Sequence, residues 1–313
     1  MLHTISQELQ QFIRTFSNDD SLVFNNTIIP ITKNNFFPIH KQESDKTITF
    51  IDGGQAEIIS AGNFCLSFIR VAAVTFKNNH KRDYQKNEFY LLTRAEWKEN
   101  EIFYNSTIYP LQEKLFSEAD LCLSSRDETI KIGQERAAIS KIASVARRFA
   151  ELAIAQKINS DYIILDGTLD ATFRNEEKYL QRVGKNVSAI AKSSSLFTTL
   201  GNAPVVLLQK MSPAGCWNYM VNPSTSFVKL HPQAKHVFRC DGNRDILPYL
   251  INNSSDPLFL GYPYGLLCVD RIARVSNDEK RSLAAAFMLR AENKEILDYC
   301  TTTNAHDILD RIG

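Results

Sequence analysis

The sequence predicts an α/β protein built on a mixed sheet with helices on its flanks, and three observations carry that expectation. From Thr47 onward, apolar stretches of strand length (47–52, 57–59, 63–76 and 88–93) are separated by polar turns, which reads as an antiparallel meander. A helical stripe follows over 129–158, with Ile139, Ile142, Ala146, Phe149 and Ala153 at three- and four-residue steps, as in a surface helix lying on a sheet. Directly after it, the short run 161–166 ends in Asp166-Gly167, the pattern of a buried strand that delivers one carboxylate to a sheet edge where glycine lets the backbone turn.

Composition bounds what such a fold does. At 313 residues the chain buries a sizeable core. Lys plus Arg of 36 against Asp plus Glu of 35 leaves a charge of +1, so no global field attracts nucleic acid and any basic groove must be local. Six cysteines are scattered without a CxxC pair, several inside apolar runs such as Phe64-Cys65-Leu66, and read as reduced thiols rather than disulfides or a zinc site. The start has no basic stretch leading into an apolar one, and no run of about 18 apolar residues occurs, so the expectation is a cytoplasmic protein without a membrane anchor.

The remaining elements follow in order. A helical stripe covers 2–16, and 21–46 is a polar connecting arm broken by Pro30 and Pro38, so 1–46 forms an N-terminal helix and arm ahead of a domain over 47–313. Residues 95–127 show no clear period. A charged helix is expected over 171–183, strands over 187–192, 204–209 and 236–240, and helices over 280–290 and 294–312. The stretch 261–270 leads into a helix that sets Asp270 beside Arg271 and Arg274. Strands first, then a long helix, then a strand ending in Asp, then an α/β remainder is the order of ribonuclease-H-like folds, in which the first and fourth strands lie side by side.

The strand over 47–52 also ends in Asp-Gly. Asp52 and Asp166, 114 positions apart, meet only if their strands are neighbours. Two carboxylates at one sheet edge repel each other, and a divalent cation with oxygen ligands relieves the repulsion. A two-metal nuclease needs three or four carboxylates around a pair of Mg²⁺ or Mn²⁺ ions about 4 Å apart, with Asp52 and Asp166 as the bridging pair. Either aspartate alone is no more than a turn residue.

Ile51-Asp52-Gly53-Gly54, Leu165-Asp166-Gly167-Thr168-Leu169, the lysine in Ala191-Lys192-Ser193-Ser194, and Gly261-Tyr262-Pro263-Tyr264-Gly265-Leu266 leading to Asp270 stand in one order along the chain. In this set and order the sequence resembles the NurA nuclease family. The resemblance implies a ribonuclease-H-like fold, a homodimer, Mn²⁺- or Mg²⁺-dependent cleavage of DNA, and work with a HerA-type hexameric translocating ATPase at DNA ends. It also implies a glutamate ligand on the helix before the second Asp-Gly strand, for which Glu151 and Glu135 compete. Glu151 matches the family's spacing and the height of Asp166, whereas the helical wheel puts Glu135, and not Glu151, on the apolar stripe. Tyr262 stands where the family has a tyrosine, and Asp270 where it often has a histidine; an aspartate is a hard oxygen donor suited to Mg²⁺ or Mn²⁺. Lys192 would hold the scissile phosphate.

Cations available for the DNA backbone are Lys77, Lys81, Arg82, Arg147, Arg148, Arg271 and Arg274, whose number suits backbone tracking rather than base reading. Rival readings are weaker. A haloacid-dehalogenase phosphatase needs a nucleophilic aspartate where this chain has Ile164, and an actin-like ATPase needs a second glycine-rich phosphate loop. A catalytically inactive scaffold that binds the ATPase or DNA is the non-enzymatic alternative.

Overall fold

The computed structural model describes residues 1–16, 19–43, 45–290 and 293–303. The chain opens with helix α1 (Leu2–Thr15), which buries none of its residues, followed by the hairpin β1 (Ser21–Phe24) and β2 (Thr27–Pro30) and by β3 (Phe36–Pro38). The stretch expected as an irregular arm therefore carries three short strands, and each proline is the last residue of one of them. Four long antiparallel strands come next: β4 (Thr47–Ala61), β5 (Phe64–Lys77), β6 (His80–Lys98) and β7 (Glu101–Pro110), then the short β8 (Leu123–Ser124). Two of their turns, Asn78-Asn79 and Glu99-Asn100, have φ of 51°, 60°, 52° and 62°, the pair of left-handed residues whose twist suits a two-residue hairpin. β7 lies in the stretch whose sequence shows no clear period, because Asn105, Ser106 and Thr107 interrupt the apolar residues of a half-buried strand.

Helix α2 (Lys141–Lys157) starts twelve residues after the expected boundary. The Thr129 N–H and Oγ1 both donate to Asp127 Oδ1, at 2.9 and 2.6 Å, and tight turns of this kind take up the preceding stretch. Nor is α2 a surface helix: it is buried on nearly every face, including Arg148 and Glu151. After it come β9 (Tyr162–Asp166), the four-residue α3 (Glu177–Leu180), β10 (Val187–Ala191), β11 (Phe197–Thr198) and α4 (Pro204–Met211). The segment 204–209, expected as a strand, is helical because Pro204 opens it at a position where its missing N–H and fixed φ favour a helix start. The charged segment 171–183 is helical only over α3. Strands β12 (Trp217–Met220), β13 (Thr225–Lys229) and β14 (Phe238–Gly242) and helices α5 (Leu247–Asn253), α6 (Tyr264–Ala273), α7 (Asn277–Met288) and α8 (Lys294–Thr303) complete the described chain. The part of the expected last helix beyond 303 lies outside the described residues.

The chain divides into two compact units. The first comprises 1–46, 164–169 and 185–264. Its strands run in the order β3-β12-β13-β14-β10 and then the end of β9, with a small second sheet β11-β1-β2. Its core gathers Leu22, Leu208, Trp217, Tyr219 and Phe227.

The second unit comprises 47–163, 170–184 and 265–313, and holds the start of β9 and then β4-β5-β6-β7-β8. There Thr47, the first residue of β4, is bonded to Ser160 and Asp161, which lead directly into β9. Neighbouring strands that start at one end run parallel, while β4 and β5 are antiparallel, so this sheet is mixed. Helix α2 lies against β4 and β5, and α7 and α8 lie against β4, which explains why β5 is buried along almost its whole length. The fold class is the mixed α/β class expected from the element order.

None of the six thiols is in a disulfide, and burial pushes Cys65 up to about 11 and Cys240 up to about 12, as unreactive core thiols require. Among the described residues no helix is long and apolar enough to cross a membrane.

Candidate active site

The residues singled out in the sequence fall into one group in each unit. In the second unit, Asp52 sits in the middle of β4 rather than at its end, because the strand continues through Gly53 and Gly54 to Ala61. Those glycines serve close approach. A Cβ on Gly53 would stand 2.6 Å from Arg147 Cγ and from Glu151 Oε1, and a Cβ on Gly54 would stand 2.1 Å from the Ala273 carbonyl oxygen. Successive strand residues face opposite ways, so α2 lies on the Gly53 face and the end of α6 on the Gly54 face.

Asp52 shares the α6 face with Phe50 and Gly54 by that alternation. Gly265 packs on the Phe50 ring and Ala273 on Gly54. The eight residue steps from Gly265 to Ala273 span about 12 Å of helix, and the four from Phe50 to Gly54 span about 13 Å of strand. The two elements thus run level, and Asp270 stands near the height of Asp52. Asp270 Oδ2 accepts from Arg274 Nη2 at 2.8 Å, and Asp52 Oδ1 accepts from the Gly53 N–H at 2.7 Å.

Glu151 is 3% exposed and lies in the buried α2. Its Oε1 accepts from Arg147 Nη1 at 2.7 Å, and its Oε2 lies 3.6 Å from Arg148 Nη1. Arg147 also donates to the Gly53 carbonyl at 3.1 Å, and Arg148 Nε donates to Glu176 Oε1 at 2.7 Å. Glu135 lies in an exposed turn before the helix begins, isolated from this network by the later start of α2. Arg147 and Arg148, read from the sequence as cations for DNA, are engaged inside the protein, whereas Arg271, Lys81 and Arg82 are exposed.

A network that the sequence reading missed anchors the far side of β4. Arg70, the cross-strand partner of Gly54, donates to Glu88 Oε1 at 2.6 Å and to the Arg274 carbonyl at 3.2 Å, and also pairs with Glu279. Burial by itself would raise the Glu88 carboxyl, but the bonds from Arg70 and Lys86 outweigh it and hold Glu88 below the usual range. This ties the α6–α7 junction, and with it Asp270, to the sheet. The only sequence signal was an arginine inside an apolar strand.

In the first unit, Asp166 ends β9 and Gly167, at φ 109°, makes the expected turn, its N–H donating to the Ile190 carbonyl at 3.1 Å. Lys192, one residue past β10, bonds Asp166 Oδ2 at 2.6 Å, and its ammonium lies 5.5 Å from the centre of the Tyr262 ring. Tyr262 is buried against Phe238 with ring centres 5.1 Å apart. The buried pair Arg239–Asp241, at 2.9 Å, was also missed; Asp241 Oδ2 accepts from the Leu169 N–H at 3.1 Å and so fixes the loop that leaves Asp166.

The chain matches the crystal structure of the NurA nuclease from Sulfolobus solfataricus with a TM-score of 0.54 and 13% identity, over 94% of this chain and 96% of that one. The fold is that of NurA. A second NurA crystal structure matches with a TM-score of 0.48 and 9% identity, over 84% of this chain and 93% of that one. The catalytic domain of human endonuclease V gives 0.35 and 7% identity over 75% and 88%. No family model and no curated protein matches the sequence. The likeness to NurA agrees with the resemblance read from the motifs and with the ribonuclease-H-like class expected for them.

Asp52, Glu151 and Asp270 in the second unit and Asp166 in the first are hard-oxygen donors of the kind that suits Mg²⁺ or Mn²⁺. Among the described residues no three His, Cys, Asp or Glu side chains are gathered into a ready cage, and Glu151, Asp166 and Asp270 are each paired with a cation of the protein. Use of these groups as ligands therefore entails exchanging Arg or Lys partners for a metal ion.

Proposed function

We propose that the chain is a metal-dependent deoxyribonuclease that processes DNA ends as a homodimer together with a HerA-like hexameric ATPase. The observation that carries the reading is a matched count along two strands. Thr47 and Asp161 are bonded at the start of neighbouring parallel strands, and Asp52 and Asp166 each lie five residues further on. The reading takes these two carboxylates to act together. The NurA fold is the second support.

In this reading Asp52 and Asp166, with Asp270, would hold Mn²⁺ or Mg²⁺, and Glu151 would reach the ions from the opposite face of β4 beside Gly53, which has no side chain. Such ions would supply activation of a water and charge stabilisation at the leaving oxygen. Lys192 turns from Asp166 to an oxygen of the scissile phosphate, Tyr262 supports the Lys192 ammonium with its ring face, and Arg147 and Arg148 orient the Glu151 carboxylate. Arg271 contributes to the DNA backbone contact.

The test is cleavage of end-labelled DNA in Mn²⁺, Mg²⁺ or EDTA, with and without the ATPase, and sedimentation at micromolar concentration. Metal-dependent cleavage, stimulation by the ATPase and a dimer are the expected results. The inactive-scaffold alternative draws on the cation pairing of Glu151, Asp166 and Asp270, and absence of cleavage under all three conditions selects it.

A further inference from the structure

The second unit buries a carboxylate that the proposed reaction leaves unused. Glu176, the residue ahead of α3, is 0% exposed. A charge taken this far from water is tolerated only when it is paired and hydrogen-bonded. Glu176 Oε2 accepts from the Thr172 and Phe173 N–H groups at 2.8 and 2.9 Å, and Oε1 accepts from Arg148 Nε at 2.7 Å. The two backbone donors fix the carboxylate in its loop, so its other oxygen stands at a set point beside α2. Arg148 is thereby shared unequally. It precedes Glu151 by three residues on α2, a spacing at which helix side chains meet. Its Nη1 nevertheless stops 3.6 Å from Glu151 Oε2, beyond hydrogen-bond length, while Arg147 holds Glu151 Oε1 at 2.7 Å.

We infer that Glu176 is a positioning residue: it keeps Arg148 from closing on Glu151 and so leaves Glu151 Oε2 able to take a divalent cation. Without the pull of Glu176, the Arg148 guanidinium turns its fork onto the carboxylate three residues along the same helix. Glu151 is then bonded by an arginine on each oxygen, and a metal reaches it only by breaking a buried, charge-assisted bond. With Glu176 in place, Arg148 orients Glu151 by its charge without capping it. Glu176 acts through Arg148 alone, and the short contact to Glu176 beside the long one to Glu151 is the observation that carries the inference. It rests on the reading of Glu151 as a metal ligand.

The experiment is Mn²⁺ binding without DNA, followed by loss of the free-ion electron paramagnetic resonance signal, with melting curves beside it. Glu176→Gln keeps the shape and an oxygen for the Thr172 and Phe173 N–H groups but removes the charge that holds Arg148. It is expected to bind Mn²⁺ about tenfold more weakly, as substitutions behind a metal ligand do. Adding Arg148→Met to Glu176→Gln removes the competing cation and should recover most of that loss, whereas a merely structural Glu176 gives no recovery. Glu176→Asp, which keeps the charge but draws it back from Arg148, should show a smaller loss of the same kind and serves if Glu176→Gln melts early. Equal Mn²⁺ affinity in parent and Glu176 variants, or a double variant that binds no better than Glu176→Gln, overturns the inference and leaves the nuclease reading standing. A parent protein that binds no Mn²⁺ removes the metal-dependent reading and this role of Glu176 with it.

Discussion

Asp161 Oδ2 accepts from both the N–H and the Oγ1 of Thr47, each at 2.8 Å, and the Thr47 Oγ1 in turn accepts from the Asp161 N–H at 3.1 Å. This clasp ties the first residue of β4 to the residue that leads into β9. Asp52→Asn and Asp166→Asn should each reduce metal-dependent cleavage by about a hundredfold or more without loss of fold, since Asn keeps the shape but removes the charge that offsets a dication. The double variant should be no worse than either single one, because groups acting as one unit are not additive. Rates on end-labelled DNA and melting curves check this; near-full cleavage by Asp166→Asn would sink the paired site.

Glu151 and Glu135 are separated by one experiment. Glu151→Gln leaves Arg147 and Arg148 without their shared carboxylate and should cost about 2–3 kcal/mol of stability along with cleavage. Glu135→Gln, in an exposed turn, should change neither. Denaturant midpoints with unchanged slopes give the stability difference, and an equal effect of the two substitutions would refute the assignment.

Gly54→Ala should be the most damaging of three glycine substitutions. Its Cβ meets backbone, the Ala273 carbonyl at 2.1 Å, whereas Gly53→Ala meets flexible side-chain atoms of Arg147 and Glu151, and Gly62→Ala meets nothing within 4 Å. Costs on the order of 3 kcal/mol, 1–2 kcal/mol and near zero are expected. Thermal melts in that rank order confirm that α6 is seated directly on β4.

Acid should loosen that seating. The Glu88 carboxyl is held below its ordinary range by Arg70 and Lys86 despite burial, and Asp127 is likewise lowered, burial opposing and its bonds with Thr129 and Arg174 prevailing. A carboxylate depressed in the folded state contributes stability that is complete above its unfolded value, near about 4.3 for Glu and 3.9 for Asp. That contribution is lost as pH falls through the folded value. Melting temperature should drop as pH is lowered below about 4, and the Glu88→Gln variant should show a shallower drop. Melts followed between pH 3 and pH 7 measure it, and parallel curves for parent and variant would exclude Glu88 as a source.

The sequence by itself determined the class of the fold, the strands that carry Asp52 and Asp166, the turn at Gly167 and the helix that carries Asp270. Each is written in features a few residues long: an apolar run of strand length, a glycine after an aspartate, a three- and four-residue period. It misjudged Gly53 and Gly54 as a turn because an open strand and a turn both tolerate glycine, and only the helices on either face show that the missing Cβ makes room for Glu151 and Ala273. It favoured Glu151 over Glu135 while placing both on one helix, because the helical period runs back through residues that fold as turns before α2 begins at Lys141. The wheel treated α2 as a surface helix, whereas tertiary packing buries nearly every face and lets Arg147 and Arg148 make a buried carboxylate tolerable. The lysines that line the cleft of about 640 Å³ beside β10 had no linear signature. Lys192, Lys210 and Lys235 come from three separate segments, and charge accumulates there because the fold brings those segments together.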